Sequence, residues 1–129
     1  MSQLDYNDMS DTPAVKGGLA DIALSDKVGR FSAAAIGFGL GLAATTTAGE
    51  AAIPAATSFV FEGISVQTNK PTSNATGEAQ YEIGEEITVL RKGRIWVLAE
   101  TVITIGDDVF LRHTDEAGDV AGNFRNDLD

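Results

Sequence analysis

The chain has 129 residues and a mass of 13.5 kDa, enough for one compact domain with a single core and little beyond it. A net charge of −10 and a pI near 4.3 set its surface against nucleic acid and anionic membranes, which repel it at long range, and leave a basic or neutral protein surface as the favoured kind of partner. With no cysteine, disulfides and thiolate metal sites are excluded, and the chain can work in a reducing cytoplasm.

Met1 to Ser10 is acidic and polar, so no signal peptide is expected. Residues 1–30 read as an N-terminal arm: Asp5, Asp8, Asp11, Asp21 and Asp26 alternate with small residues, Pro13 and Gly17-Gly18, and large apolar side chains are too sparse to bury themselves. Two dozen extended residues reach about 80 Å at roughly 3.3 Å each, far enough to touch a neighbouring subunit. A weak signal for a short helix runs from Asp21 to Val28.

Residues 31–129 are assigned to a β domain. The apolar run Ala33 to Ala44 falls short of the roughly 20 residues that cross a bilayer, so no membrane span is expected. Within it, Ile36, Phe38, Leu40 and Leu42 alternate with Gly37, Gly39 and Gly41, which predicts a strand with one bulky and one bare face. Ala44–Ala56 and Thr68–Gly77 read as loops flanking a strand over Ser58–Val66. Further strands are predicted over Ile87–Leu90, Arg94–Glu100 and Val109–His113, with turns at Arg91-Lys92-Gly93 and Ile105-Gly106-Asp107-Asp108. The pattern predicts an all-β fold: a small antiparallel sandwich, barrel or jelly roll. The tail Asp115–Asp129 is polar and acidic, and its end is expected to be poorly ordered unless a partner holds it.

Chemistry-bearing constellations are sparse. His113, the only histidine, has no cysteine beside it and reads as a sheet residue. Glu85-Glu86 and Asp107-Asp108 are adjacent in sequence, so strand geometry points each pair to opposite faces and suits turns or solvated edges better than a shared acid/base site. Asp115-Glu116-Ala117-Gly118-Asp119 lacks EF-hand spacing, and no metal is expected. The glycines at 37, 39 and 41 lack the third-glycine placement of a dinucleotide loop, so close backbone packing is expected there and no cofactor. Asn74-Ala75-Thr76 matches a glycosylation acceptor but has no secretory route to use it. Arg91, Lys92 and Arg94 are the one concentration of positive charge, either a solvated turn or a contact patch, and Trp96 beside them is either an interface anchor or core.

The block Tyr81 to Val97, followed by Gly106 to Arg112 and by Gly122-Asn123-Phe124-Arg125, resembles the structural cement (capsid decoration) proteins of tailed bacteriophages. Gly18-Leu19-Ala20-Asp21, Ile36-Gly37-Phe38-Gly39 and Phe61-Glu62-Gly63-Ile64 fit the same template, so the likeness spans nearly the whole chain by order and spacing. It implies a jelly-roll-like, non-enzymatic protein on the outer capsid surface that bridges subunits of the major capsid protein, assembled in the host cytoplasm. Leu19, Asp21, Arg91, Lys92, Arg94 and Trp96 are then the expected partner contacts. A homo-oligomer, dimer or trimer, is expected because several weak contacts engage a repetitive shell at once. A carbohydrate- or ligand-binding β module is the alternative, weakened by the single Trp and two Tyr available to stack on sugars. A hydrolase joining His113 to distant carboxylates has the least support.

Overall fold

Alternation of side chains sets the two longest strands. In β1 (Asp26–Ser32) Val28, Arg30 and Ser32 are the sheltered positions, while Lys27, Gly29 and Phe31 are exposed; in β7 (Glu86–Lys92) Ile87 and Val89 are fully buried. The computed structural model describes residues 16–20, 24–68, 80–115 and 120–127, and the remaining elements are β2 (Ile36–Gly37), β3 (Gly41–Ala44), β4 (Glu50–Ala52), β5 (Phe61–Ser65), β6 (Gln80–Tyr81), β8 (Phe110–Leu111) and β9 (Phe124–Arg125). β1 pairs antiparallel with β7, β7 with β5, β5 with β3 and β3 with β4; β4 returns to β1 in parallel, closing a five-stranded barrel. Closure removes the exposed edges that an open sheet offers to other chains. β2 with β6 and β8 with β9 form separate two-stranded ribbons.

Ile36, Phe38, Leu42, Ala51, Tyr81, Ile87 and Val89 make the core, with the Phe38 and Tyr81 rings edge to face at 5.3 Å. Each fully buried aliphatic side chain here contributes about 1.5–3 kcal/mol. Two polar groups inside are satisfied. The Tyr81 hydroxyl donates to Val66 O at 2.6 Å, and Ser65 Oγ donates to Gly37 O at 2.8 Å while accepting from Leu40 N at 3.1 Å.

All-β architecture is as the sequence predicts, and a barrel is the form taken by β1, β3, β4, β5 and β7. Several elements differ in detail. Ile36, Phe38, Leu40 and Leu42 are all buried, but they do not lie on one strand: Phe38-Gly39 turns between β2 and β3, and Gly39 adopts φ +73°, a left-handed conformation that breaks an extended run. β4 lies inside the stretch read as the loop Ala44–Ala56, because Ala51 is small enough to be fully buried between β3 and β1. Asp26–Val28 is strand, not helix, since β7 offers a full ladder to β1; Asp21 lies outside the described residues. Arg94–Glu100 forms no continuous strand and does not fold back on β7. Its backbone instead makes isolated bridges, Ile95 to Leu19 and Ala99 to Phe124. In the tail, Ala121, Gly122, Asn123 and Phe124 are buried, so this part of Asp115–Asp129 is packed rather than loose.

Candidate interaction surface

The segment Lys16–Ala20 is laced to residues 94–96. Gly17 N donates to Trp96 O at 2.8 Å, Trp96 N to Gly18 O at 2.9 Å and Ala20 N to Arg94 O at 2.9 Å. Gly17 packs at the same time against the turn between β2 and β3, where bare backbone is required: a Cβ at Gly17 would stand 2.7 Å from Phe38 Cβ and 2.8 Å from Gly39 N, and Gly17 itself has φ +85°. The lacing therefore brings Leu19 beside Arg94 and Trp96, all three singled out from sequence, although more than seventy positions separate Leu19 from the other two.

Arg91 and Lys92 sit at the end of β7 just before this junction, where Asp26 and Lys27 of β1 pair with Lys92 and Leu90. Arg91, Lys92, Arg94 and Lys27 are all exposed, and Trp96 is half exposed at 50%, which makes it a surface residue rather than core. Arg91 and Lys92 also line a shallow depression of about 80 Å³ with Phe61, Ile64, Leu90 and Gly93. Among the other arginines, Arg30 pairs with Glu62 at 3.3 Å, Arg112 with Glu100 at 2.7 Å and Arg125 with Asp127 at 2.8 Å. Lys27, Arg91, Lys92 and Arg94, against the one carboxylate of Asp26, make the β1 start and β7 end a net cationic, partly apolar end on an acidic molecule. The opposite end, where Phe31 pairs with Glu86 and Glu50 and Glu85 Oε1 accepts from Glu82 N, is acidic.

A second surface went unread in the sequence. β8 and β9 are fastened by the Arg112–Glu100 pair, whose side chains are 5% and 3% exposed, and Glu100 N donates to Phe124 O. The connection across 101–107 is held by Asn126 and Asp107. Asn126 Nδ2 donates to Val102 O at 3.1 Å, Asn126 N to Thr101 Oγ1 at 3.1 Å, and Asp107 Oδ2 accepts from Thr104 N at 2.9 Å and Thr104 Oγ1 at 3.0 Å. These hydrogen bonds, chiefly from Thr104 and then from Asn126, hold the Asp107 carboxyl below the usual aspartate range. Beside this loop lies an apolar groove of about 320 Å³ lined by Phe59, Phe61, Val109, Phe110, Leu111 and Phe124.

Of the carboxylate pairs, Glu85 and Asp107 both serve turns, and Asp115 Oδ1 accepts from Ala121 N at 2.8 Å; Glu116–Asp119 lies outside the described residues. Among the described residues no three His, Asp or Glu side chains gather as a metal site. The described surface has one cationic end and one apolar flank on a small closed barrel. Residues 2–127 match the family model of the structural cement protein (E217 gp24/Pam3 gp6), and the chain belongs to that phage family. No match is found among curated proteins. Membership makes it a phage structural protein of the virion, with a capsid-stabilising role in association with capsid proteins.

Proposed function

We propose that this protein docks on the outer surface of a tailed-phage capsid through its cationic end and bridges neighbouring subunits of the major capsid protein. The observation that carries this reading is the junction of Leu19 and Trp96, both partly exposed, with exposed Arg91, Lys92 and Arg94 on a chain of net charge −10. Cations concentrated at one end orient the molecule toward carboxylates on the shell, and a half-exposed tryptophan offers an anchor to desolvate on contact. Asp21 and the preceding arm extend the same contact onto an adjacent subunit. Binding the assembled shell in preference to free subunits stabilises the shell by linkage, and no chemical step is involved.

The test is co-sedimentation with expanded, undecorated shells of the same phage, read together with the shell's melting temperature. Saturable binding that raises the melting temperature is expected. In the double variant Arg91→Glu, Lys92→Glu, apparent affinity at low salt falls by about one to two orders of magnitude. Wild-type binding by the variant moves the docking face elsewhere, and no binding of the wild type to intact shells overturns the reading in favour of a ligand-binding module. Deletion of residues 1–15, which leaves the laced segment from Lys16 intact, isolates the contribution of the arm.

A further inference from the structure

The barrel closes on itself, but the segment from Arg94 to Glu100 lies outside it and leaves one side of its backbone open. Among the described residues, its backbone hydrogen bonds fall on even-numbered positions: Arg94 O, Trp96 N and Trp96 O meet Ala20, Gly18 and Gly17, and Glu100 N donates to Phe124 O. Along an extended chain the amides and carbonyls of successive residues point to opposite sides, so those of Ile95, Val97 and Ala99 face away from both partners. None of these three residues makes a backbone hydrogen bond among the described residues. Water satisfies many such groups, but this edge lacks the features that keep an edge solvated. Ile95 to Ala99 is a run of five apolar residues without a proline or a charge, and Trp96 and Leu98 are 50% and 53% exposed. The two ends of the segment differ in charge. Arg94 opens it just after Arg91 and Lys92, all three exposed, whereas the Glu100 carboxylate at the far end is turned inward onto Arg112.

We infer that this edge takes on an extended stretch of the major capsid protein as an added strand, bonded to the backbone of Ile95, Val97 and Ala99. The stretch that fits is apolar on the face meeting Trp96 and Leu98 and carries a carboxylate at the end meeting Arg91, Lys92 and Arg94. Main-chain hydrogen bonds give such a contact its affinity, and the alternate side chains and the cations give it register and direction. Residues 17–20 and Phe124 already hold the segment from its other side, so it is presented for pairing before a partner arrives, which lowers the ordering cost of binding. The inference rests on docking through the cationic end and deepens it by naming the form of the element recognised: an extended strand.

The test is amide hydrogen exchange of the full chain, free and bound to expanded, undecorated shells of the same phage, read residue by residue. In the free chain the Trp96 and Glu100 amides are protected and those of Ile95, Val97 and Ala99 exchange freely. On shells these three slow by about 100-fold. Shell binding without that slowing overturns the added strand and leaves docking standing. Failure to bind shells at all removes docking, and the added strand falls with it. Slow exchange at all three positions in the free chain also overturns the inference, because the edge is then already covered by another part of the chain or by a second copy. Val97→Pro deletes one donor that the fold does not use and keeps the preceding residue extended. It is expected to weaken shell binding about tenfold at an unchanged melting temperature. That loss persists at high salt, whereas the loss from Arg91→Glu, Lys92→Glu shrinks as salt screens the charges. Undiminished binding by Val97→Pro overturns the inference.

Discussion

In the barrel, Ile36, Leu42, Ile87 and Val89 are sealed from solvent and the polar groups among them are few and satisfied, whereas around β8 and β9 Val102, Ile105 and Val109 face outward and the buried set includes the Arg112–Glu100 pair beside Ala121 and Phe124. The first region holds together by removing apolar area from water. The second is held by a buried ion pair and by hydrogen bonds from Asn126 and Asp107, which frees Val102, Ile105 and Val109 to remain on the surface. Holding a segment by polar contacts is how a small protein keeps apolar side chains available for a partner without losing its own shape.

Breaking the ion pair is expected to have the largest effect. Glu100→Ala leaves the Arg112 guanidinium buried without its carboxylate and costs about 3–5 kcal/mol. Amide exchange then rises across residues 100–126 well before the barrel's amides respond. The converse experiment is Leu42→Ala, which opens a cavity in the barrel core and costs about 2–5 kcal/mol. Its loss is read as a lower denaturant midpoint for the whole domain. Equal loosening of both regions in either variant collapses the distinction between them.

The smallest expected effect concerns pH. The Asp107 carboxyl titrates below its unfolded value of about 3.9, so the ordering it gives the 101–107 loop is fully present above that pH and is lost as pH falls through the depressed value. Resonances of Thr104 and Asn126 should therefore hold steady from neutral pH down to about 4 and move only below it. Movement near neutral pH would mean that another group controls the loop. The Asp127 carboxyl, lowered chiefly by its hydrogen bond from Arg125, responds in the same direction.

Much of the barrel was visible in the sequence because burial and strand period coincide there. Ile87 and Val89 alternate with polar residues, and Phe61–Ser65 lies within the strand read over Ser58–Val66. The segment Arg94–Glu100 misled for the complementary reason. It has the alternation of a strand and follows a good turn, but whether a turn closes a hairpin depends on which backbone lies nearest, and Gly17-Gly18 supplies that backbone from far away. Leu19 lies beside Arg94 and Trp96 through backbone hydrogen bonds from residues 17–20 to 94–96, a meeting between segments that carry no local signal for each other. The groove could not be read at all, because it joins Phe59 and Phe61 to Val109–Leu111 and Phe124, segments with no local signal that they meet.

The sequence by itself determined the charge that repels nucleic acid, the all-β character, the cationic cluster and, through order and spacing, the likeness to phage cement proteins. Those are properties of composition and short-range pattern, which survive without knowledge of the fold. Only the tertiary structure decided that the strands close as a barrel with one parallel pair, that part of the expected arm is laced to residues 94–96, and that an apolar loop stands beside an apolar recess. Each of these depends on contacts between residues distant in the chain, where the outcome is set by which apolar surfaces and unpaired backbone groups find one another, not by the residues on either side of them.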